Sequence, residues 1–164
     1  MKQIFTYVIT LCFVVMAHSQ DKIEISDFEV LDKTSWEGTL MYKDYTSGKK
    51  VILETKMQIE VHKNKITTLI QFSKEPKANS KNVIKIRKGG TYFGSEKIAK
   101  KEVLKDGSIK IITFYKGRDN NKEAEMFNIY LFSSSSFSIQ KEVKYLDSTE
   151  KFIRNKQTYT RIKS

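Results

Sequence analysis

Between Val51 and Val61 the side chains alternate without a break: Val51, Leu53, Thr55, Met57, Ile59 and Val61 on one side, Ile52, Glu54, Lys56, Gln58 and Glu60 on the other. A helix would scatter these apolar residues around its circumference. Successive strand residues point to opposite faces, so the run predicts a strand with one buried and one wet side. Trp36 to Tyr45 repeats the pattern, with Trp36, Gly38, Leu40 and Tyr42 facing one way, and Thr46-Ser47-Gly48 supplies a turn between the two. Further alternating runs cover Ile66 to Phe72, Asn82 to Lys88, Thr91 to Phe93, Lys97 to Leu104, Ser108 to Lys116, Glu123 to Phe132, Phe137 to Tyr145 and Phe152 to Ile162. Turn chemistry separates them. Asp106-Gly107 predicts a type I′ hairpin, Gly117 to Asn121 and Ser133 to Ser136 are softer turn signals, and Ile23 to Lys33 reads as a lead-in strand or one helical turn.

About eight to ten consecutive strands joined by short turns predict an all-β, antiparallel up-and-down meander. Left open, such a sheet has two unprotected edges; pairing the last strand with the first removes them. A closed barrel is therefore the preferred architecture, with a two-sheet sandwich as the alternative. The sole proline beyond the leader region is Pro76, and no Pro- or Gly-rich linker divides the chain, which predicts one domain over residues 20–164.

Residues 1–19 read differently. Lys2 precedes an apolar stretch from Ile4 to Ala17, and Ala17-His18-Ser19 has small residues where a signal peptidase requires them. The stretch falls short of the roughly 20 residues of a spanning helix. The expectation is a cleavable signal peptide with a mature start at Gln20, and an exported protein in the periplasm or the external medium. Cys12, the only cysteine, follows Leu11 and precedes further apolar residues, which does not fit a lipid-attachment site. The mature chain then has no thiol and relies on its core for stability.

The net charge of +11, or +10 once Lys2 is removed, comes almost wholly from lysine; Arg87, Arg118, Arg154 and Arg161 are the arginines. A hydrated point charge suits a solvated surface better than the forked contacts of a nucleic-acid reader, so no nucleic-acid partner is expected. His62 would be the one histidine left, on the polar face of its strand. An ordinary metal site, a haem site or a hydrolytic triad is not expected from that inventory, no cofactor is implied, and the scattered carboxylates suggest no catalytic pair. The chain reads as a non-enzyme.

Trp36-Glu37-Gly38 at the first strand and Arg154 and Arg161 on the last resemble the calycin group, the lipocalin and fatty-acid-binding-protein barrels. The resemblance implies a tryptophan at the closed end, covered by an arginine from a late strand; Trp36 and Arg154 are the barrel-floor candidates. It also implies a carboxylate grip near the C-terminus, here Tyr159 and Arg161, two residues apart on one face. The order of both motifs is inverted relative to the family.

Two functions are expected as alternatives. In the first, the barrel interior binds a small, largely apolar ligand with a carboxylate as its candidate polar group; Tyr42, Leu53, Met57, Ile59, Phe127 and Ile129 are the candidate lining, and Tyr42, Met57, Tyr159 and Arg161 the candidate contacts. In the second, a basic outer surface marked by Lys85, Lys100 and Lys101 binds anionic envelope lipid or polysaccharide. Lys74 to Lys110 carries 11 basic residues against Glu75, Glu96, Glu102 and Asp106. Oligomeric state has no signature in the sequence.

Overall fold

A computed structural model describes residues 21–163; the predicted signal peptide, with Cys12, lies outside the described residues. The alternating runs become strands β1 (Thr34–Lys43), β2 (Lys50–His62), β3 (Lys65–Phe72), β4 (Ser80–Arg87), β5 (Tyr92–Phe93), β6 (Glu96–Val103), β7 (Ile109–Asp119), β8 (Lys122–Phe132), β9 (Ser136–Tyr145) and β10 (Phe152–Arg161). Each pairs antiparallel with its neighbours in sequence, and β1 pairs with β10 as well as β2, so the sheet closes into an all-β, ten-strand up-and-down barrel. The barrel forms and the sandwich does not, and its geometry is consistent with the lipocalin and fatty-acid-binding-protein class. In β2 the odd-numbered residues face inward, with Thr55, Met57 and Ile59 buried, as the alternation requires.

The closing seam depends on Gly38. It lies opposite Tyr159, and a Cβ there would sit 1.9 Å from the Thr158 carbonyl oxygen and 2.8 Å from the Cα of Tyr159. No side chain larger than hydrogen fits between β1 and β10 at that point.

The ambiguous segment before β1 is a 3₁₀ helix, Ile25–Leu31, lying across one end of the barrel. Phe28 and Leu31 are its buried residues, and Phe28 stacks on Phe93 (5.3 Å between ring centroids) and Phe132 (5.4 Å). Three polar links hold this plug down. The Ile23 amide donates to the Gly90 carbonyl (3.0 Å), Lys101 Nζ meets Asp27 Oδ1 at 2.6 Å, and the Val61 amide donates to Asp32 Oδ1 at 2.8 Å. Gly90, at φ 90°, lies directly against the plug segment: a Cβ there would lie 2.3 Å from the Ile23 carbonyl oxygen. Gly89-Gly90 thus seats a chain segment.

At the opposite end, Tyr45 from the β1–β2 loop reaches the end of β7. Its hydroxyl donates to Asp119, which also accepts from Tyr145 (3.0 Å), while Arg154 Nε lies 3.5 Å from Asp119 Oδ1 and its guanidinium 4.1 Å over the Tyr45 ring. Because β1 and β7 are not neighbours in the sheet, this latch spans part of the mouth. A small apolar cluster of Ala124, Met126 and Val143, with Tyr115, Tyr145 and Phe152, fills the barrel beneath it.

β5 is only two residues long, so β4 pairs on that side only at Ile86 and Arg87, and β6 covers β7 no further than Phe114. The edges of β4 from Ser80 to Ile84 and of β7 beyond Phe114 therefore face each other across an opening in the wall.

Two turns differ from expectation. Asp106-Gly107 does connect a hairpin, but only Gly107 has positive φ (80°), and the Gly107 amide bonds back to the Leu104 carbonyl. That is a three-residue loop ending in a left-handed glycine. The pair of consecutive positive φ values that a type I′ turn needs occurs at Asn120 (47°) and Asn121 (63°), between β7 and β8. Asparagine tolerates this region because its short polar side chain bonds locally.

Candidate functional site

Above the plug the barrel is not filled. A cavity of about 130 Å³ lies inside it, lined mainly by apolar side chains including Phe28, Met57, Ile59, Ile66, Ile70, Phe93, Tyr130 and Ile139. Thr68, Asn82 and Gln157 add polar atoms to the lining. Asn82 and Ile84 belong both to this lining and to the free edge of β4, so the opening in the wall lies beside the cavity.

One step along the strands toward the mouth, the inner face changes character. The register aligns Thr113 with Asn128, Asn128 with Lys141, Lys141 with Asn155, and Asn155 with Tyr42, a polar row crossing β7, β8, β9, β10 and β1. The next row up returns to Tyr115, Met126, Val143 and Phe152. The polar row is thus held between two apolar layers, where each polar group needs a partner. Glu96 satisfies one end: the Thr113 hydroxyl donates to it, and Asn128 Nδ2 donates to both its oxygens at 2.8 and 3.0 Å. At the other end, Lys141 and Asn155 make no side-chain hydrogen bond or ion pair among the described residues; the Lys141 ammonium lies 5.7 Å from the Tyr115 ring centroid.

The sequence-derived candidates divide on this geometry. Met57 lines the cavity, with Ile59 beside it, and Tyr42 stands half-buried in the polar row. Tyr159 is buried below the row; its hydroxyl donates to Gln157 Oε1 (3.1 Å) and accepts from Thr55 Oγ1 (3.3 Å), and burial raises its pKa. Arg161 is exposed at the plug end, where its guanidinium donates to the Ser134 carbonyl (3.2 Å). Tyr159 and Arg161 therefore do not converge on one point, because the hydroxyl is already bonded toward Gln157. Trp36 is fully buried at the closed end, 6.1 Å from Phe137 between centroids, with Nε1 donating to Thr34 Oγ1 (2.7 Å).

Arg154 does not reach Trp36. The register puts Arg161 opposite Trp36 and leaves Arg154 at the latch, beside a bulge between Ile153 and Asn155. Phe127 and Ile129 do not line the interior either. The β8 run is apolar on both faces, and Met126, Asn128 and Tyr130 are the inward set, while Phe127 pairs with Phe114 outside (5.3 Å) under Lys151 Nζ (3.6 Å).

Of the three surface lysines, Lys100 pairs with Glu102, and Lys101 is turned onto the inner face, where it holds the plug. The cause is a bulge between Ile98 and Lys100, which shifts the alternation by one. Lys85 remains exposed and stands directly across from Lys65. No protein-family model matches the chain, and no curated protein is significantly similar to it.

Proposed function

We propose that this protein is a non-enzymatic binding protein that encloses one small, largely apolar ligand in the barrel interior, with a carboxylate as the candidate polar group. The observation that carries the reading is the cavity itself. An apolar hollow of this size leaves the lining side chains without packing partners on one side. Its volume is close to that of an apolar cavity of about 150 Å³ able to hold benzene. It sits in a barrel whose closed end is densely aromatic, and the wall is open beside it. The surface alternative has less support, since two of its three lysines are engaged in ion pairs. Residues 1–19 complete the proposal as an export signal, which an intact mass starting at Gln20 would support and a mass starting at Met1 would contradict.

Filling the cavity tests the binding reading. Benzene titrated into the labelled protein should shift amide resonances of the lining strands β2, β3 and β4, and Ile84→Phe should abolish those shifts while leaving the fold's spectrum intact. Benzene shifts confined to the outer face, or none in the wild type, would refute it.

A further inference from the structure

The cavity accounts for the apolar part of a ligand and leaves open what receives its charge. The resemblance pointed to Tyr159 and Arg161, but these are engaged with Gln157, Thr55 and the Ser134 carbonyl. The polar row supplies a different group. We propose that Lys141, with Asn155 and Tyr42 beside it, is the carboxylate site of the barrel, and that the ligand is a monocarboxylic acid whose apolar tail reaches the cavity.

Position and charge support this assignment, which rests on the cavity reading above. Lys141 follows Ile139 by two residues on the inner face of β9, and Asn155 precedes Gln157 by two on β10; Ile139 and Gln157 both line the cavity. Two residues of strand span about 6.8 Å. A tail carried by a carboxylate at Lys141 crosses about that distance to reach the cavity-lining residues.

The charge is also of the right sign and is uncommitted. Glu96, the carboxylate of the same tier, already accepts from Thr113 and twice from Asn128. Lys141 makes no ion pair among the described residues, and its ammonium lies on the inner side, 5.7 Å from the Tyr115 ring centroid. Half-buried beside Tyr115 of the Met126 layer, the ammonium gains more from a ligand carboxylate than a fully exposed lysine would. Asn155 can donate a second hydrogen bond, and Tyr42 is its partner in the register.

The test compares octanoate with 1-octanol, which shares the tail and lacks the charge, by isothermal titration of the wild type, Lys141→Met, Lys141→Arg and Arg161→Ala. The wild type should bind octanoate more tightly than 1-octanol. Lys141→Met should weaken octanoate by about tenfold or more, the size of a charged hydrogen bond, and leave 1-octanol unchanged. Lys141→Arg should recover part of the loss, and Arg161→Ala should behave as wild type. If 1-octanol binds but Lys141→Met leaves octanoate unaffected, or Arg161→Ala takes the loss instead, the cavity stands and the assignment to Lys141 fails. If neither compound binds the wild type, the cavity reading itself fails.

Discussion

Replacing Gly38 by alanine should open the barrel at its seam. The added carbon would lie 1.9 Å from the Thr158 carbonyl oxygen, and ordinary contact begins near 3.4 Å, so β1 and β10 must part locally by about 1.5 Å. Side-chain motion cannot relieve this, because the nearest obstructing atom is a backbone carbonyl oxygen. A separation of that size breaks the neighbouring ladder bonds, each worth about 1 kcal/mol net, and loosens Tyr159. Overpacking adds about 1–3 kcal/mol. The expected loss is about 3–5 kcal/mol, a large share of the roughly 5–15 kcal/mol available to a domain of this kind. In urea, with a slope of about 2 kcal/mol per M, the midpoint should fall by roughly 2 M. Gly48→Ala is the control: it has positive φ (69°) and nothing within 4 Å of its added carbon, so it should cost only about 1 kcal/mol. A Gly38→Ala midpoint no lower than that of Gly48→Ala would refute the steric account of the seam.

The plug should depend on the pair of Lys101 and Asp27, which are only 24% and 13% exposed. Lys101→Met and Asp27→Asn should each destabilise by about 1–2 kcal/mol, with the double mutant less than additive, in urea melts; strict additivity would show that the pair contributes nothing. Alkaline pH should unfold the protein through its tyrosines. Burial, the leading cause in each case, raises the pKa of Tyr45, Tyr130, Tyr145 and Tyr159 above the ordinary value of 10.0, with Asp119 adding to it at Tyr45 and Glu96 at Tyr130. The unfolded chain releases these protons first, so their contribution is fully present below about pH 10 and is lost as pH rises above it. Tyrosinate absorbance should rise in two stages, the second coinciding with loss of the β-sheet dichroism; a single stage near pH 10 with the fold intact would contradict the burial. Tyr45→Phe should leave Asp119 with one fewer donor and raise amide exchange in the β1–β2 loop, and unchanged exchange there would show that the latch does not hold the loop.

The strands were legible because their period was two and their separators were turn residues; closure followed from the edge problem that ten strands create. The site was only half legible. Met57 and Tyr42 could be placed by alternation alone. Lys141 carried a readable signal, since it interrupts the apolar face Phe137, Ile139, Val143, Tyr145, as Asn128 interrupts Met126 and Tyr130. A polar residue on the buried side of a strand marks either a bonded group or a ligand contact. Lys101 gave no such signal, because it lies beyond a bulge that reverses the face of its strand and a bulge leaves little trace in one sequence, and Asn155 gave none because its own face, with Gln157, Tyr159 and Arg161, is not apolar. Phe127 and Ile129 misled for the opposite reason: β8 is apolar on both sides, and only packing against Phe114 decides which side is outside. Pairing Arg154 with Trp36 requires a register that alternation does not supply, and the register separates them by most of a strand.

The most direct test of an occupied interior is mass spectrometry of the protein purified as its host processes it, first under native and then under denaturing conditions. The account predicts a noncovalent adduct in the native spectrum that is lost on unfolding, has the mass of a small organic acid, and is depleted in Ile84→Phe. An apo mass in the native spectrum, persisting after incubation with millimolar octanoate, would contradict it.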